Sequence, residues 1–446
     1  MHSKSRLPKR CILLAFALCS SHVTSFQHNS SPNRCSTSLD AFNRHRLHNE
    51  LQTRRDLIQS VASIAALAAV LPASSCAVTN DERQKYTQQF PTLFDPIIGS
   101  SQRKTIKRQV APNIWVLEQS LILGPLETPL RSVVIKLSDG TLWVHAPVAP
   151  TQEFFELVEE CGDVSNIVVP TYALEHKIFV KDAVKQWSGA SLWTSPGQFS
   201  FPFRASDTVV FGKIVDGVLQ QSDTSEGVQP SWAKEIQYET LAAGTFDIGG
   251  VPTTLYETAF YHKQSKTLVV TDAVAQIPKD PNTLNTPQNL LLVSKRSTSD
   301  PMPDDTPQNR QIGWEKNALL ISYFFPEHEE PDPNKLGVVT WTDGWHDNFE
   351  AVAGRLIVPP VVRYLLYAQN PQRVERWVDR VASRWDFERI VPAHWEAPIT
   401  AGPNEFKRAF LFLEDDTIDA LPAEDLRRGL KPISDIALKT LASRDK

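Results

Sequence analysis

The stretch Glu257–Val274, ETAFYHKQSKTLVVTDAV, constrains the fold of this chain more than any other segment. It predicts two apolar strands on either side of a polar turn, His262–Ser265. The second strand, Thr267–Val270, is a continuous run of apolar and β-branched residues, which is typical of a strand buried on both faces of a sheet. Asp272 follows this strand at its carboxyl end, where open α/β sheets keep their ligand sites. We therefore expect an α/β protein with a site at the strand ends.

Strand and helix patterns alternate in the part of the chain before this stretch. Ser132–Leu137 and Thr141–His145 read as strands that flank an Asp-Gly step, which is a strong signal for a hairpin turn. A helix and a short strand then alternate twice, with the strands at Asn166–Val169 and Ser191–Thr194. This order of elements predicts a sheet that is partly parallel.

The part of the chain after residue 230 predicts more strands and one long insertion. Strands are expected around Ile236–Leu241 and over Val251–His262. Residues 277–312 are rich in proline and predict a loop without secondary structure, either a mobile lid or a surface decoration, and decoration is the simpler interpretation. The apolar run LLISYFF, residues 319–325, is predicted as a strand.

Charge and cysteine are distributed unevenly along the chain. Residues 1–77 hold nine Lys/Arg and three Asp/Glu, so this segment carries +6 and the rest carries −11 of the total −5. An acidic body argues against nucleic acid or an anionic membrane surface as the main partner. Four of the five cysteines lie before residue 78, so Cys161 has no disulfide partner in the body and is expected to be a packed core thiol.

The first 77 residues predict a multipartite targeting sequence. A basic start and the apolar run Cys11–Cys19 are typical of a secretory signal, and the Ser-, Asn- and Arg-rich residues that follow are typical of a transit peptide. Ser25-Phe26 resembles the cleavage motif of bipartite plastid signals. Arg54-Arg55 precedes an Ala-rich apolar run that ends in Ser75-Cys76-Ala77, which resembles a twin-arginine signal and implies the thylakoid lumen. The alternative is that Leu57–Ala73 is an uncleaved membrane anchor.

These patterns set a targeting presequence at residues 1–77 apart from the rest of the chain. The family resemblance given below implies a linker at 78–107, one domain at 108–415 that contains the insertion, and a helical tail at 416–446. After residue 77 no segment is apolar over enough residues to predict a membrane-spanning helix, so the mature protein is not expected to span a membrane.

Polar residues follow four of the predicted strands. His145 ends TLWVH, His176 follows IVVPTYALE, Asp272 follows TLVVT, and His394 follows RIVPA. Histidines and a carboxylate that meet at one edge of a sheet can make a metal site or an acid–base site. A lone histidine beside a strand is more often a hydrogen-bonded structural residue, so the hypothesis depends on the shared placement of all four.

Four segments carry a resemblance to a known family: residues 128–151, 166–179, 257–273 and 385–399. Their order is similar to that of the metallo-β-lactamase fold, an α/β (α+β) four-layer αββα sandwich. The amino-acid sequences of these segments resemble more closely a divergent metallo-β-lactamase-like family of photosynthetic organisms, the domain-of-unknown-function 4336 family. The resemblance implies the fold for residues 108–415, and it implies no particular activity.

The resemblance also implies that one metal site is missing. Hydrolases of the fold carry the motif Thr-His-x-His-x-Asp-His, which supplies ligands for two metals. Thr171 is present here, but Tyr172 and Leu174 occupy the first two histidine places. His176 falls at the aspartate, and Lys177 falls at the last histidine. The first metal site is therefore expected to be absent.

The second site keeps three candidate ligands, His176, Asp272 and His394. His145, Thr171 and Lys177 are expected beside the ligands, where His145 would orient its neighbours. Two interpretations stay open. In one, the three ligands bind a single zinc or iron ion with an open position for water. In the other, Lys177 replaces the charge of the metal and pairs with Asp272, and the site is metal-free.

Two functions follow from these interpretations. The first is a hydrolase of a small ester or thioester that uses one metal ion. The second is a catalytically inactive binding or assembly protein of the plastid lumen, with a small molecule or a photosynthetic protein as its partner. The chain has no nucleophile elbow, no P-loop and no dinucleotide fingerprint, so no other cofactor is expected.

Overall fold

The structure of the protein is a computed structural model. It describes residues 103–198, 206–220, 229–248, 251–335, 337–415, 421, 423–432 and 434–435. The predicted targeting sequence, most of the predicted linker and most of the predicted tail lie outside the described residues. The expectations for those segments therefore stay predictions.

Within the described residues, the first sheet has seven strands, and their spatial order follows the sequence. They are β1 Ile106–Ala111, β2 Ile114–Leu123, β3 Leu126–Lys136, β4 Leu142–His145, β5 Val164–Val169, β6 Ser191–Thr194 and β7 Gly217–Val218. Neighbours are antiparallel from β1 to β4 and parallel from β4 to β7. The hairpin between β3 and β4 forms as predicted, because Gly140 takes a φ of 87°, which favours glycine.

The second sheet is built around the Glu257–Val274 stretch. The remaining strands are β8 Ile236–Ile248, β9 Val251–His262, β10 Thr267–Val269, β11 Ala275–Gln276, β12 Glu329–Pro331, β13 Val339–Trp341, β14 Leu356–Ile357, β15 Arg389–Val391 and β16 Ile399–Thr400. The sheet order is β16-β15-β10-β9-β8. β10 is buried along its length between antiparallel β9 and parallel β15, so the predicted hairpin and the predicted buried strand are both confirmed.

The α-helices connect the strands and cover the sheets. They are α1 Gln152–Glu159, α2 Val180–Gln186, α3 Asp207–Phe211, α4 Pro287–Ser294, α5 Pro307–Tyr323, α6 Trp345–Val352, α7 Pro360–Leu365, α8 Pro371–Arg384, α9 Pro403–Arg408 and α10 Ala423–Arg428. The Thr151 hydroxyl accepts a hydrogen bond from Phe154 N at 3.1 Å and caps α1. In the described ranges, no helix combines the length and the apolar character that crossing a membrane requires.

Alternation along the strands divides the core into three layers. Val133 and Ile135 face a core shared with Val269 and Val391 of the second sheet, whereas Val134 faces the opposite side. That opposite side packs on α1 and α2 and contains Cys161 as a buried free thiol, as predicted. The outer face of the second sheet packs on α8 and α9. Helix, sheet, sheet and helix therefore form the four-layer αββα sandwich that the resemblance implies.

The insertion at residues 277–312 is not the loop that its prolines predict. It contains α4 and the start of α5, and Pro287 and Pro307 each stand in the first turn of a helix. Proline suits that position, because its missing N–H is not needed there and its φ is already helical. The run LLISYFF forms the end of α5, so its prediction as a strand is wrong. A short apolar run does not by itself distinguish a buried helix from a strand.

The two insertion helices are packed into the protein, so their interpretation as surface decoration is also wrong. The Glu127 carboxylate, on β3, accepts a hydrogen bond from Thr286 N at 2.7 Å at the start of α4. The Asn317 amide on α5 bonds both the N–H and the carbonyl of Glu127, at 2.9 Å each. Trp314 of α5 is fully buried against Trp395, with ring centroids 5.7 Å apart.

Candidate functional site

Strand ends from both sheets meet at one place. Asp272 follows β10, and His394 follows β15, the parallel neighbour of β10. His176 ends a 3₁₀ helix, Leu174–His176, that comes after β5 of the first sheet. The three candidate ligands predicted from the sequence are therefore brought together by the pairing within the second sheet and by the packing of the two sheets.

The distances among these three side chains are short. His394 Nε2 lies 3.3 Å from His176 Nε2. The two carboxylate oxygens of Asp272 reach one histidine each, at 3.6 Å from His176 Nε2 and 3.6 Å from His394 Nε2. The His176 side chain is fully buried, whereas Asp272 is 26% exposed, so the cluster is open to solvent on one side.

Glu175 is a further ligand-type side chain that the sequence reasoning missed. Its Oε1 lies 4.0 Å from His176 Nε2, and its side chain is 23% exposed. One donor atom from each of Glu175, His176 and His394 falls within 4.8 Å of the others. The sequence contained a signal for it, because Glu175 directly precedes His176. It was missed because only one polar residue was chosen after each predicted strand.

His394 is held in one tautomer by the main chain. Its Nδ1 lies 2.8 Å from the carbonyl oxygen of Pro129, which accepts only, so Nδ1 carries the proton and donates it. Burial lowers the pKa of His394 further than the Asp272 charge raises it, so the ring is neutral. The unprotonated Nε2 therefore faces the cluster, as a metal ligand requires.

His176 and Asp272 shift each other's titration. Burial alone would lower the pKa of His176, but the Asp272 carboxylate, followed by Glu175 and Glu257, raises it above its ordinary value. Burial alone would raise the pKa of Asp272, but His176 and then His394 hold it below its ordinary value. Each of the two groups therefore favours the charged form of the other.

Glu257 supports the segment that carries Asp272, and the sequence reasoning missed it as well. Its carboxylate accepts hydrogen bonds from Thr271 N at 2.7 Å and from Asp272 N at 3.2 Å. It is buried, and burial together with the Asp272 charge raises its pKa to about 8. The available signal was an acidic residue in the middle of an inner strand, since such a side chain needs partners when buried.

His145 occupies the core between the sheets. Its ring packs against Trp143 and Phe260, with centroids 5.7 Å and 5.5 Å away. In the described part of the chain neither ring nitrogen has a hydrogen-bond partner. Burial, and then the charge of His176, lower the pKa of His145 to about 3. It therefore orients no neighbour through a hydrogen bond of its ring, contrary to expectation.

Lys177 does not form the predicted pair with Asp272. Its Nζ donates to Gln198 O at 2.6 Å and lies 3.6 Å from the centroid of the Tyr172 ring. Among described residues, the ion-pair partners of Asp272 are His176 and His394. The Tyr172 ring instead offers the ammonium an aromatic face.

Thr171 lies beside this lysine and not in the cluster. Its carbonyl accepts a hydrogen bond from Gln198 Nε2 at 3.2 Å, and its hydroxyl accepts a weak one from Ala173 N at 3.4 Å. Thr171, Gln198 and Lys177 therefore form a buried polar group next to the 3₁₀ helix that ends at His176.

The cluster fits one divalent cation. Two imidazole nitrogens bound to one tetrahedral zinc at about 2.05 Å would lie about 3.3 Å apart, and the two Nε2 atoms here are 3.3 Å apart. His394 and Asp272 already have the deprotonated donor atoms that a metal needs. Imidazole and carboxylate donors without a thiolate suit zinc, iron(II) or manganese.

Comparisons with known proteins agree with this picture of the domain. A family model described as Domain of unknown function (DUF4336) matches residues 111–412. A search of curated proteins found no match.

Several solved structures are similar to the chain. One is a metallo-beta-lactamase from Pontibacter korlensis, with 11% identity, 70% of this chain and 100% of that chain covered, and a TM-score of 0.34. Another is a fragment of the chain named diflavin flavoprotein A 5 from Nostoc sp. PCC 7120, with 11% identity, coverages of 70% and 98%, and a TM-score of 0.37. A third is metallo-beta-lactamase IND-7, with 8% identity, coverages of 42% and 83%, and a TM-score of 0.28. At these identities and TM-scores the likenesses carry no argument about activity.

Proposed function

This chain belongs to the family described as Domain of unknown function (DUF4336), and from that premise we propose that it is a hydrolase that uses one divalent metal ion to cleave a small ester or thioester. The observation that carries the proposal is the convergence of His176 Nε2, His394 Nε2 and the Asp272 carboxylate at 3.3 to 3.6 Å. One ion is proposed and not two, because the resemblance implies that Tyr172 and Lys177 replace ligands of the other site, and the Lys177 ammonium packs on the Tyr172 ring.

His176, Asp272 and His394 would hold the ion, zinc or iron. The ion would supply Lewis-acid chemistry, since such a centre polarises a carbonyl and lowers the pKa of a water to about 7. His394 keeps its proton on Nδ1, at the Pro129 carbonyl, and so offers a neutral Nε2. His176 must release its Nε2 proton when the ion binds, so affinity falls as the pH falls.

Glu175 is the proposed proton acceptor. Its carboxylate lies 4.0 Å from His176 Nε2 and is 23% exposed, so it is beside the ligands and in reach of solvent. A carboxylate in that place can take the proton from the water that attacks an acyl carbon. We propose esters and thioesters because an acyl carbon needs one Lewis acid and one base, whereas in-line phosphoryl displacement commonly uses two metals.

A second function is favoured by one observation, the Lys177 ammonium against the Tyr172 ring at 3.6 Å. The resemblance implies that this buried contact replaces the first metal site of the hydrolases, as it would in a protein that has lost catalysis. The cleft would then bind a small molecule or a partner protein of the plastid lumen without turnover.

Metal content of the full chain distinguishes the two functions. We expect about one zinc or iron per chain, absent in His394→Ala and retained in His346→Ala, a matched control whose side chain is 57% exposed and bonds Glu315. The loaded chain should then hydrolyse p-nitrophenyl acetate, and Glu175→Gln should keep the metal but lose about 10²-fold in turnover. A folded, metal-free chain without esterase activity would refute the hydrolase and favour the binding protein.

We also propose that residues 1–77 direct the protein to a plastid and to its thylakoid lumen. The support is the succession of three signal-like segments in the sequence, with Arg54-Arg55 before the last of them. Fused to a fluorescent protein in an alga with complex plastids, residues 1–77 should place the fluorescence in the lumen. Replacing both Arg54 and Arg55 with lysine should keep the fluorescence in the stroma. Fluorescence outside the plastid would contradict the proposal.

A further inference from the structure

Strand β3 holds the segment that carries His394. We call residues 392–395 the His394 loop. The Arg131 guanidinium on β3 donates to three carbonyl oxygens of this loop: Pro392, His394 at 3.4 Å and Trp395 at 2.7 Å. Two residues earlier on β3, the Pro129 carbonyl accepts the hydrogen bond from His394 Nδ1. One strand therefore contacts both the ring of His394 and the backbone around it.

The Arg131 guanidinium is itself fixed. Its side chain is 1% exposed, and its Nε donates to Glu118 Oε1 at 2.7 Å. The Glu118 carboxylate, 8% exposed, also accepts from Arg108 at 2.8 Å and 3.1 Å. A buried charge with such partners has little freedom to move. The position of the guanidinium is thus fixed by groups other than the loop.

The loop has a backbone shape that is unfavourable by itself and that its contacts must maintain. Trp395 has a φ of 59°, in the left-handed region that residues other than glycine rarely adopt. Strand β4 pairs with β3 only from Val133 to Lys136. The earlier residues of β3 therefore have no β4 partner on that side, which leaves room for the His394 loop. The planar guanidinium, with donors in a rigid fork, suits several fixed carbonyl acceptors at once.

We propose that Arg131 is a positioning residue for the metal site: it holds the His394 loop so that His394 Nδ1 bonds Pro129 and Nε2 faces His176. The test of this role by metal binding rests on the proposed function. The test by the tautomer of His394 does not, because the Nδ1–H hydrogen bond exists without a cation.

The first test is cobalt(II) binding to the chelator-treated full chain, followed by the visible absorption of Co²⁺. Arg131→Met should weaken the Kd by about 10- to 100-fold, the usual effect of removing a partner behind a ligand. Arg131→Lys should weaken it by at least about 10-fold, because a lysine keeps the charge beside Glu118 but not the fork.

Two control variants separate the loop contacts from the loss of a buried charge. Arg380→Met removes an arginine from another buried carboxylate, Glu239, at 3.1 Å, on the α8 side of the second sheet. Arg108→Met removes the other partner of Glu118 and leaves the contacts of Arg131 with the loop. The Kd of both controls should stay within about threefold of the unsubstituted chain, well below the effect of removing a true partner of a ligand.

The second test is the tautomer of His394 in the metal-free chain, read by NMR with ¹⁵N-labelled histidine. The unsubstituted chain and Arg380→Met should show one form of His394, protonated at Nδ1, and Arg131→Met should show a mixture. No Co²⁺ binding by the unsubstituted chain would refute the proposed metal function and leave the tautomer to decide the role of Arg131.

An unchanged tautomer in a folded Arg131 variant, or an unchanged Kd, overturns the inference. If Arg131→Met does not fold, Arg131→Lys decides. Loss of the fold in both variants also overturns it, because Arg131 would then be a folding residue and not one that positions His394.

Discussion

Replacing His145 with leucine should stabilise this protein, and the gain should increase in acid. The imidazole is fully buried against Trp143 and Phe260, and within the described residues nothing bonds its two ring nitrogens. Leucine has a similar volume and no polar atom. A buried polar group without a partner costs about 1–3 kcal/mol, so leucine should raise the free energy of unfolding by that amount at pH 7.5.

The pH dependence follows from the titration of His145. Its pKa is about 6.5 in the unfolded chain, whereas burial and then the charge of His176 lower its pKa to about 3 in the folded chain. Between these values the unfolded state binds more protons, so stability falls as the pH falls through this window. At pH 5 the loss is about 2 kcal/mol, from 1.5 units at about 1.4 kcal/mol each. Leucine removes this loss, so its total gain at pH 5 should be about 3–5 kcal/mol.

Urea unfolding of the metal-free full chain at pH 7.5 and pH 5.0 measures both terms. Ile135→Val is the control, because Ile135 lies in the same core between the sheets and does not titrate. It should cost about 0.5–1.5 kcal/mol, equally at the two pH values. A leucine variant that is less stable than the parent at pH 7.5, or whose advantage is the same at both pH values, would refute the reasoning. Either result would mean that His145 is hydrogen-bonded or charged in the folded protein.

Three further substitutions test the site and the insertion. Asp272→Asn should abolish Zn²⁺ binding in calorimetry and leave the circular dichroism unchanged, because it removes the anionic donor; full retention of metal would show that the site is misplaced. Gly313→Ala should lower the free energy of unfolding by about 1–3 kcal/mol, since an added Cβ would lie 1.9 Å from Leu290 O. Gly189→Ala, whose Cβ would meet nothing within 4 Å, is its control. Lys177→Met should lower stability by about 1–3 kcal/mol in urea unfolding, because it leaves a buried carbonyl without its donor; a gain would show that this ammonium is not held by its neighbours.

Much of the fold could be read from short patterns. The Asp139-Gly140 turn, the cap at Thr151 and the alternation of Val133, Val134 and Ile135 each depend on a few neighbouring residues, and the structure has all of them. The insertion was wrongly predicted as a loop because proline has opposite effects at different positions. It disrupts the interior of a helix, but it is favourable in the first turn.

The site was predicted less completely than the fold. The structure brings His176, Asp272 and His394 together, since β10 and β15 are parallel neighbours and end side by side. Glu257 was missed because its partners, the N–H groups of Thr271 and Asp272, belong to the segment that follows another strand. One of the two interpretations paired the Lys177 ammonium with Asp272, whereas in the structure its position depends on an aromatic ring and a carbonyl.

The sequence by itself determined the strands that lead to the site and, through them, which polar residues follow those strands, because hydrophobic period and turn chemistry act over a few residues. Only the tertiary structure decided what holds those residues. Pro129 and Arg131 lie more than 260 positions before the loop that they bind. Contacts at that separation arise from the packing of the two sheets, and no local pattern records them. Burial then makes each unpaired donor or acceptor costly, so the packed neighbours decide the tautomer of His394 and the pKa of His176.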